Sequence, residues 1–110
     1  MRRVEKPWGY ELIFAETENY VGKILHINAG HSLSRQYHNQ KEENFLVWSG
    51  EMQLEIGYPV EEVFYMKAGD TYHCPPKTIH RMIANIDTDV VEVSTPHLDD
   101  VVRLEDNYGR

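Results

Sequence analysis

The segment GHSLSRQYHNQKEENFLVWSG, from Gly30 to Gly50, holds three potential metal ligands between two glycines. In an extended chain, side chains two residues apart point to the same side, so the Gln36 amide and the His38 imidazole project together. A turn after His38 reverses the chain and brings Glu43 beside them. Taken singly, these are ordinary polar residues of a surface hairpin. Together, they suit a borderline divalent cation that keeps open coordination positions.

Short strand patterns separated by turn residues occupy the rest of the chain. Residues 51–56 alternate between polar and apolar side chains, and residues 20–28 do the same with Lys23 on the apolar side. This lysine either extends to a sheet edge or lines a pocket. No helical periodicity precedes Asp99. We therefore predict one all-β domain over residues 1–110, a jelly roll of two antiparallel sheets.

The composition excludes two classes of partner. A formal net charge of −7 and the lack of clustered basic residues argue against nucleic acid. No apolar run reaches membrane-spanning length and the first residues lack a signal core, so we expect a cytoplasmic protein with no membrane contact. The single cysteine, Cys74, is expected to be a buried, inert thiol. An anionic substrate would need local Lys and Arg residues against this net charge.

A second histidine-containing segment runs from Gly69 to Asn85. The pair Pro75-Pro76 stiffens the chain that leads to His80. A single histidine in such a position is more often a core residue with satisfied hydrogen bonds than a metal ligand. In combination with the first segment, it is a candidate fourth metal ligand.

A hairpin argument adds a carboxylate to this group. If the strand that begins at His80 returns through a five-residue loop, Met82 opposes Glu92 and His80 opposes Ser94. An inward His80 then places Glu92 inward, whereas a slip of one residue turns Glu92 to solvent. A buried carboxylate near a cation is a candidate general base.

The spacing Gly30-x5-Gln36-x-His38-x4-Glu43-x6-Gly50 resembles the first cupin motif, with Gln36 where most cupins have a histidine. The cupin domain of type II mannose-6-phosphate isomerases carries that same glutamine.

Residues 69–85 resemble the second cupin motif, except that Lys77 replaces its second glycine and Asn85 comes one residue late. If that turn needs a positive φ, Lys77 carries a modest steric cost.

Both ends of the chain extend the resemblance. The opening Pro7-Trp8-Gly9 and the closing residues 99–110 look like those of the isomerase cupin domain. In those enzymes this domain usually follows a sugar-nucleotide pyrophosphorylase domain. The resemblance therefore implies a cupin double-stranded β-helix, here as a stand-alone domain.

The resemblance also implies a chemistry, the isomerisation of mannose 6-phosphate to fructose 6-phosphate through an enediol(ate). It implies one divalent cation, foremost Zn, with Mn, Co, Ni or Fe as alternatives, and Glu92 is our choice of general base. The implied metal ligands are Gln36, His38, Glu43 and His80. The candidates for binding the sugar phosphate are Lys23, Arg81, Arg103, Tyr108 and Arg110. Arg81 is adjacent to His80, so an inward His80 would direct the Arg81 side chain out of the barrel.

Two other functions fit a cupin fold, since one fold hosts many chemistries. One is an iron-dependent dioxygenase, which the Gln36 substitution disfavours because it weakens an iron site. The other is a non-catalytic sugar-binding or sensory cupin. We also expect a homodimer that pairs through the strand around Tyr10 to Phe14.

Overall fold

A computed structural model describes residues 1–110 as eleven β-strands with no helix, which confirms the all-β prediction. It therefore contains no helix that could cross a membrane. The strands are β1 Arg2–Lys6, β2 Gly9–Glu16, β3 Val21–Ile27, β4 Arg35–Tyr37, β5 Glu43–Ser49, β6 Glu51–Ile56, β7 Glu62–Lys67, β8 Thr71–Cys74, β9 His80–Ala84, β10 Thr88–Ser94 and β11 Val102–Glu105.

The strands form two antiparallel sheets that face each other. The six-stranded sheet has the order β1-β2-β3-β10-β5-β8, and the five-stranded sheet has the order β11-β4-β9-β6-β7. Alternating side chains of β3, including Lys23 and Leu25, are buried between the sheets, as are Met52, Leu54 and Ile56 of β6. This period of two is what the sequence pattern predicts.

The apolar core lies between the sheets and is built from both. Phe45, Val47 and Val90 of the six-stranded sheet are at most 1% exposed and belong to one cluster with Met52 and Leu54 of the other sheet. Burial of each such side chain stabilises the fold by about 1.5–3 kcal/mol. Trp8 and Leu25 belong to the same cluster and also line a cavity beside it. The core therefore forms one wall of that cavity.

The predicted hairpin between β9 and β10 is wrong. β9 pairs with β4 and β6 in one sheet, whereas β10 pairs with β3 and β5 in the other. Met82 consequently opposes Leu54, while Glu92 lies between Lys23 and Phe45. Glu92 still faces inward, because every second residue of β10 is buried between the sheets.

The strand predicted to form the dimer contact is also wrong. β2 is hydrogen-bonded to β1 on one side and to β3 on the other, so residues 10–14 have no free edge. The outermost strands of the two sheets are β1, β8, β11 and β7. A homodimer itself stays a prediction.

The turn before β9 has the positive φ that the second motif implies. Lys77 has φ +66°, the only non-glycine residue in the left-handed region. Its backbone N–H donates to the carbonyl of His38 at 2.6 Å. The strained turn thus contacts the chain at the first histidine.

Candidate metal centre and cavity

His38, Glu43 and His80 converge at one end of the space between the sheets. Each residue offers one ligand atom, and the three atoms lie within 4.8 Å of one another. His38 Nε2 is 3.3 Å from Glu43 Oε1, and His80 Nε2 is 3.5 Å from Glu43 Oε2. Glu43 begins β5 and His80 begins β9, so the two facing sheets supply the group jointly. All three residues are buried.

Backbone carbonyls fix both imidazoles. His38 Nδ1 donates to the Asp100 carbonyl at 2.5 Å, and His80 Nδ1 donates to the Thr78 carbonyl at 2.8 Å. A carbonyl only accepts, so Nδ1 of each ring carries a proton and Nε2 is the ring nitrogen that faces Glu43. Metal-binding histidines usually have this second hydrogen bond.

Two atoms of this group that face the position of a bound cation have no hydrogen-bond partner. His38 Nε2 and Glu43 Oε2 are buried without a hydrogen bond, which costs free energy for polar atoms removed from water. Burial also lowers the pKa of His80 and so favours the neutral imidazole that a metal requires. Two imidazoles and a carboxylate therefore fit one divalent cation with open positions.

Gln36, the fourth predicted ligand, lines the same cavity. It pairs with His80 on the neighbouring strand, and its Oε1 accepts a hydrogen bond from Ser34 Oγ at 2.6 Å. Its coordination of the metal stays a prediction.

A row of alternating charges crosses the inner face of the six-stranded sheet beside this group. Glu11, Lys23 and Glu92 follow one another, with Lys23 Nζ at 3.4 Å from Glu11 Oε1 and 3.8 Å from Glu92 Oε2. Lys41 then joins Glu92 to Glu43, since its Nζ lies 3.2 Å from Glu92 Oε2 and 2.6 Å from Glu43 Oε1. Opposite charges on adjacent strands stabilise such a face.

Lys41 is a residue of this candidate site that sequence reasoning does not identify. It lies in the segment between β4 and β5 that the sequence predicts as a turn, yet it is 5% exposed. Its one sequence signal is its place two residues before Glu43.

Charge and burial act against each other in this row. Burial alone raises the pKa of Glu43, but His38 and Lys41 outweigh it and hold that pKa at about 2. Burial, and then the charge of Glu43, raise the pKa of Glu92. Burial lowers the pKa of Lys41, but Glu92 and Glu43 outweigh burial and raise it. Glu43 is therefore ionised, and Glu92 is the carboxyl that takes up a proton more readily.

Asp100 fixes the segment that carries His38. Its carboxylate accepts hydrogen bonds from the backbone N–H groups of Gln40, Asn39 and Lys41 at 2.6, 3.0 and 3.0 Å. These donors lower the pKa of Asp100 to about 2. Because the Asp100 carbonyl also binds His38, one residue holds both the loop and the imidazole.

The predicted substrate-binding residues divide into two groups. Lys23, Arg103 and Arg110 line the cavity, which has a volume of about 240 Å³.

Arg81 and Tyr108 lie elsewhere. Arg81 follows inward His80, so its side chain points to the opposite face of the sheet, where Nη1 contacts Glu105 at 2.7 Å. The Tyr108 hydroxyl contacts His31 Nδ1 at 2.8 Å and does not line the cavity.

Residues 23–96 match the family described as Cupin domain, so this chain belongs to the cupin family. It is similar to mannose-1-phosphate guanylyltransferase ManC of Salmonella typhimurium, with 36% identity over 99% of this chain and 23% of that protein. Xanthan biosynthesis protein XanB of Xanthomonas campestris is 29% identical over 99% of this chain and 24% of that protein. The chain thus spans about a quarter of the length of these relatives.

The solved structures confirm the fold. KdgF from Halomonas sp. superposes with a TM-score of 0.79 and 19% identity, over 87% of this chain and 88% of that one. At this identity the likeness concerns the fold alone.

Proposed function

We propose that this cupin is a metal-dependent sugar-phosphate isomerase that interconverts mannose 6-phosphate and fructose 6-phosphate. The observation that carries the proposal is Glu92, a buried carboxylate whose pKa is raised and which lines the same cavity as His38, Glu43 and Lys41. The similarity to ManC, a protein named for a mannose phosphate, supports this substrate class.

The metal would be held by His38, Glu43 and His80, with Gln36 as the proposed fourth ligand. When bound, it supplies a Lewis acid that polarises the substrate's carbonyl and stabilises negative charge on its oxygen. Zinc is our first choice, with Mn, Co, Ni or Fe as alternatives, because imidazole and carboxylate donors suit all of these ions.

Glu92 would transfer the proton. As general base, its carboxylate removes the proton from C2 of the aldose and returns it to C1 of the resulting enediol(ate), which yields the ketose. The hydroxyl proton of O2 moves to O1, so the reaction needs no other reactant. Lys41 is a positioning residue that holds Glu92 and Glu43 apart and compensates their charges.

The cavity favours a small substrate. Its volume of about 240 Å³ lies just below the range of about 300–1,000 Å³ that is typical of pockets for drug-sized ligands. A monosaccharide phosphate fits this size better than a nucleotide sugar. We place the activity in the cytoplasm, where the unpaired thiol of Cys74 fits a reducing compartment.

The test measures metal content by elemental analysis and fructose 6-phosphate formation in the same samples. His38→Ala and His80→Ala should lose metal and turnover together. Glu92→Gln should keep the metal while turnover falls by about 10²–10⁴-fold, the usual contribution of general base catalysis.

The matched controls are two histidines outside the site. The His26 side chain is hydrogen-bonded to Asp89, and the His31 side chain is hydrogen-bonded to Tyr108. Neither contacts the candidate metal ligands, so His26→Ala and His31→Ala should keep both metal and turnover. Full metal content in a folded His38→Ala, His80→Ala double variant would overturn the metal site. If the protein binds metal but does not turn over mannose 6-phosphate, the remaining candidates are a sugar-binding cupin and a dioxygenase. An oxygen-consumption assay distinguishes these two, because only the dioxygenase consumes oxygen.

A further inference from the structure

Basic residues are concentrated around the cavity of an otherwise acidic chain. The chain has 11 Lys and Arg residues against 18 Asp and Glu residues. Six of the basic residues line the cavity, against four acidic ones (Glu11, Glu43, Glu92 and Asp99). The basic residues are Arg2, Lys6, Lys23, Lys41, Arg103 and Arg110. The lining is therefore positive although the chain carries a net charge of −7.

Two of these cations already have partners inside the site. Lys23 and Lys41 lie between the buried carboxylates of the charge row and compensate them. Because these carboxylates neutralise their charges, Lys23 and Lys41 would attract an anionic ligand only weakly.

The other four basic residues come from the two ends of the chain. β1 alternates, so that Arg2 and Lys6 face the cavity while Arg3 faces outward and pairs with Glu5. Arg103 lies on β11, and Arg110 follows it at the C-terminus. We call Arg2, Lys6, Arg103 and Arg110 the anion site.

Within the anion site, Lys6 and Arg103 form no ion pair with a carboxylate, whereas Arg2 pairs with Glu16 and Arg110 with Asp106. Burial lowers the pKa of Lys6, and the like charges of Lys23, Arg110 and Arg103 lower it further, although Glu11 opposes this. Lys6 and Arg103 are therefore the two members of the anion site whose charges have no carboxylate partner, and like charges in this position are unfavourable until an anion joins them.

We propose that the anion site binds the phosphate group of the substrate, with Lys6 and Arg103 as its principal contacts. This rests on the proposed function, since it takes the ligand to be a hexose 6-phosphate. Arginine presents a planar fork of donors to phosphate oxygens, and lysine presents a point charge. The sugar would then extend from this phosphate toward Glu92, His38 and Glu43, which line the same cavity.

The experiment compares two unreactive probes on the metal-loaded protein by isothermal titration calorimetry. Sorbitol 6-phosphate carries the phosphate and sorbitol does not. The wild type should bind the phosphorylated probe at least about a hundredfold more tightly, as expected for two or more charge-assisted hydrogen bonds. Lys6→Gln and Arg103→Gln should each weaken that binding about tenfold or more, and added salt should weaken it further.

Two variants serve as matched controls. Arg3→Gln removes a charge from the same strand on its outward side, and Lys67→Gln removes an exposed lysine of β7. Both should bind the phosphorylated probe as the wild type does. Equal affinities for the two probes, or wild-type affinity in the Lys6→Gln, Arg103→Gln double variant, would overturn the anion site.

Failure of the proposed function gives a different result. If the wild type binds sorbitol 6-phosphate through Lys6 and Arg103 but does not turn over mannose 6-phosphate, the isomerase proposal fails and the anion site stands. If turnover occurs and both variants keep the wild-type KM, the isomerase stands and the anion site fails.

Discussion

Lys41 shows how a single residue makes this site compatible with folding. Its ammonium contacts Glu43 and Glu92, two carboxylates that burial would otherwise leave facing each other. Removing one partner of a buried ion pair typically costs about 3–5 kcal/mol. Lys41 thus stabilises two buried carboxylates whose proposed roles have opposite requirements, one ionised and one able to accept a proton.

Lys77 is the residue at which the backbone is strained. A side chain in the left-handed region costs about 1–2 kcal/mol, and Lys77 has φ +66°. Lys77→Gly should raise the free energy of unfolding by up to about 1 kcal/mol, because the greater freedom of glycine in the unfolded chain offsets part of the relief. Chemical denaturation with urea measures this change.

Lys77→Ala is the matched control. It removes the same side chain atoms beyond Cβ but keeps the strained φ, so it should leave the free energy of unfolding within about 0.5 kcal/mol of the wild type. A gain in the alanine variant equal to that of the glycine variant would show that the side chain, and not the backbone, carries the cost.

At the scale of elements, the C-terminal segment is held by its own hydrogen bonds. Asp106 accepts hydrogen bonds from Arg110 Nε at 2.8 Å and from the backbone N–H groups of Arg110 and Tyr108. Burial raises the pKa of Asp106, but these donors outweigh it and lower the pKa below its ordinary value. The ionised carboxylate therefore organises the residues that follow β11.

We expect this segment to loosen in acid. A carboxyl group whose pKa is lower in the folded state stabilises that state above its unfolded pKa, near 4, and loses this effect as the pH falls through the folded pKa. Titration of Asp106 by NMR should show a pKa below 3.8, and the Tyr108 and Arg110 amides should lose protection in the same pH range. Asp106→Asn should abolish that dependence. An Asp106 pKa above 4 would contradict the prediction.

The strand pattern and the grouping of His38, Glu43 and His80 could be predicted from the sequence, but the pairing of the strands could not. In β3 and β6, apolar side chains that face the core alternate with more exposed ones. This alternation is local, so it is visible in the order of the residues. The separation of β9 and β10 into different sheets depends on contacts with β3, β5 and β6, which no local turn reveals. Lys41 was missed for the same reason, because only the fold brings Glu92 to it.

At the scale of the whole molecule, the candidate metal centre spans the two sheets. Glu43 belongs to the six-stranded sheet and His80 to the five-stranded sheet, so a cation bound by both residues would link the two sheets. A ligand that binds only the folded state at a hundred times its Kd stabilises that state by about 2.7 kcal/mol. For a domain of this size, that raises the Tm by roughly 10 °C or more.

Calorimetry with Zn²⁺ and with a chelator should show this difference in Tm at pH 7.5. The difference should shrink as the pH falls and the imidazoles become protonated, since protons compete with the metal. The His38→Ala, His80→Ala double variant should show no difference between the two conditions. An equal Tm of the wild type with and without metal would contradict a cation that links the sheets.

The two tryptophans occupy opposite environments, which gives the molecule a built-in optical probe. Trp8 lines the cavity and is 2% exposed, whereas Trp48 is 69% exposed on the outside of β5. In a Trp48→Phe variant, all indole fluorescence would come from the cavity wall. Its intensity and emission wavelength would then follow the entry of a sugar phosphate in real time, with no label attached.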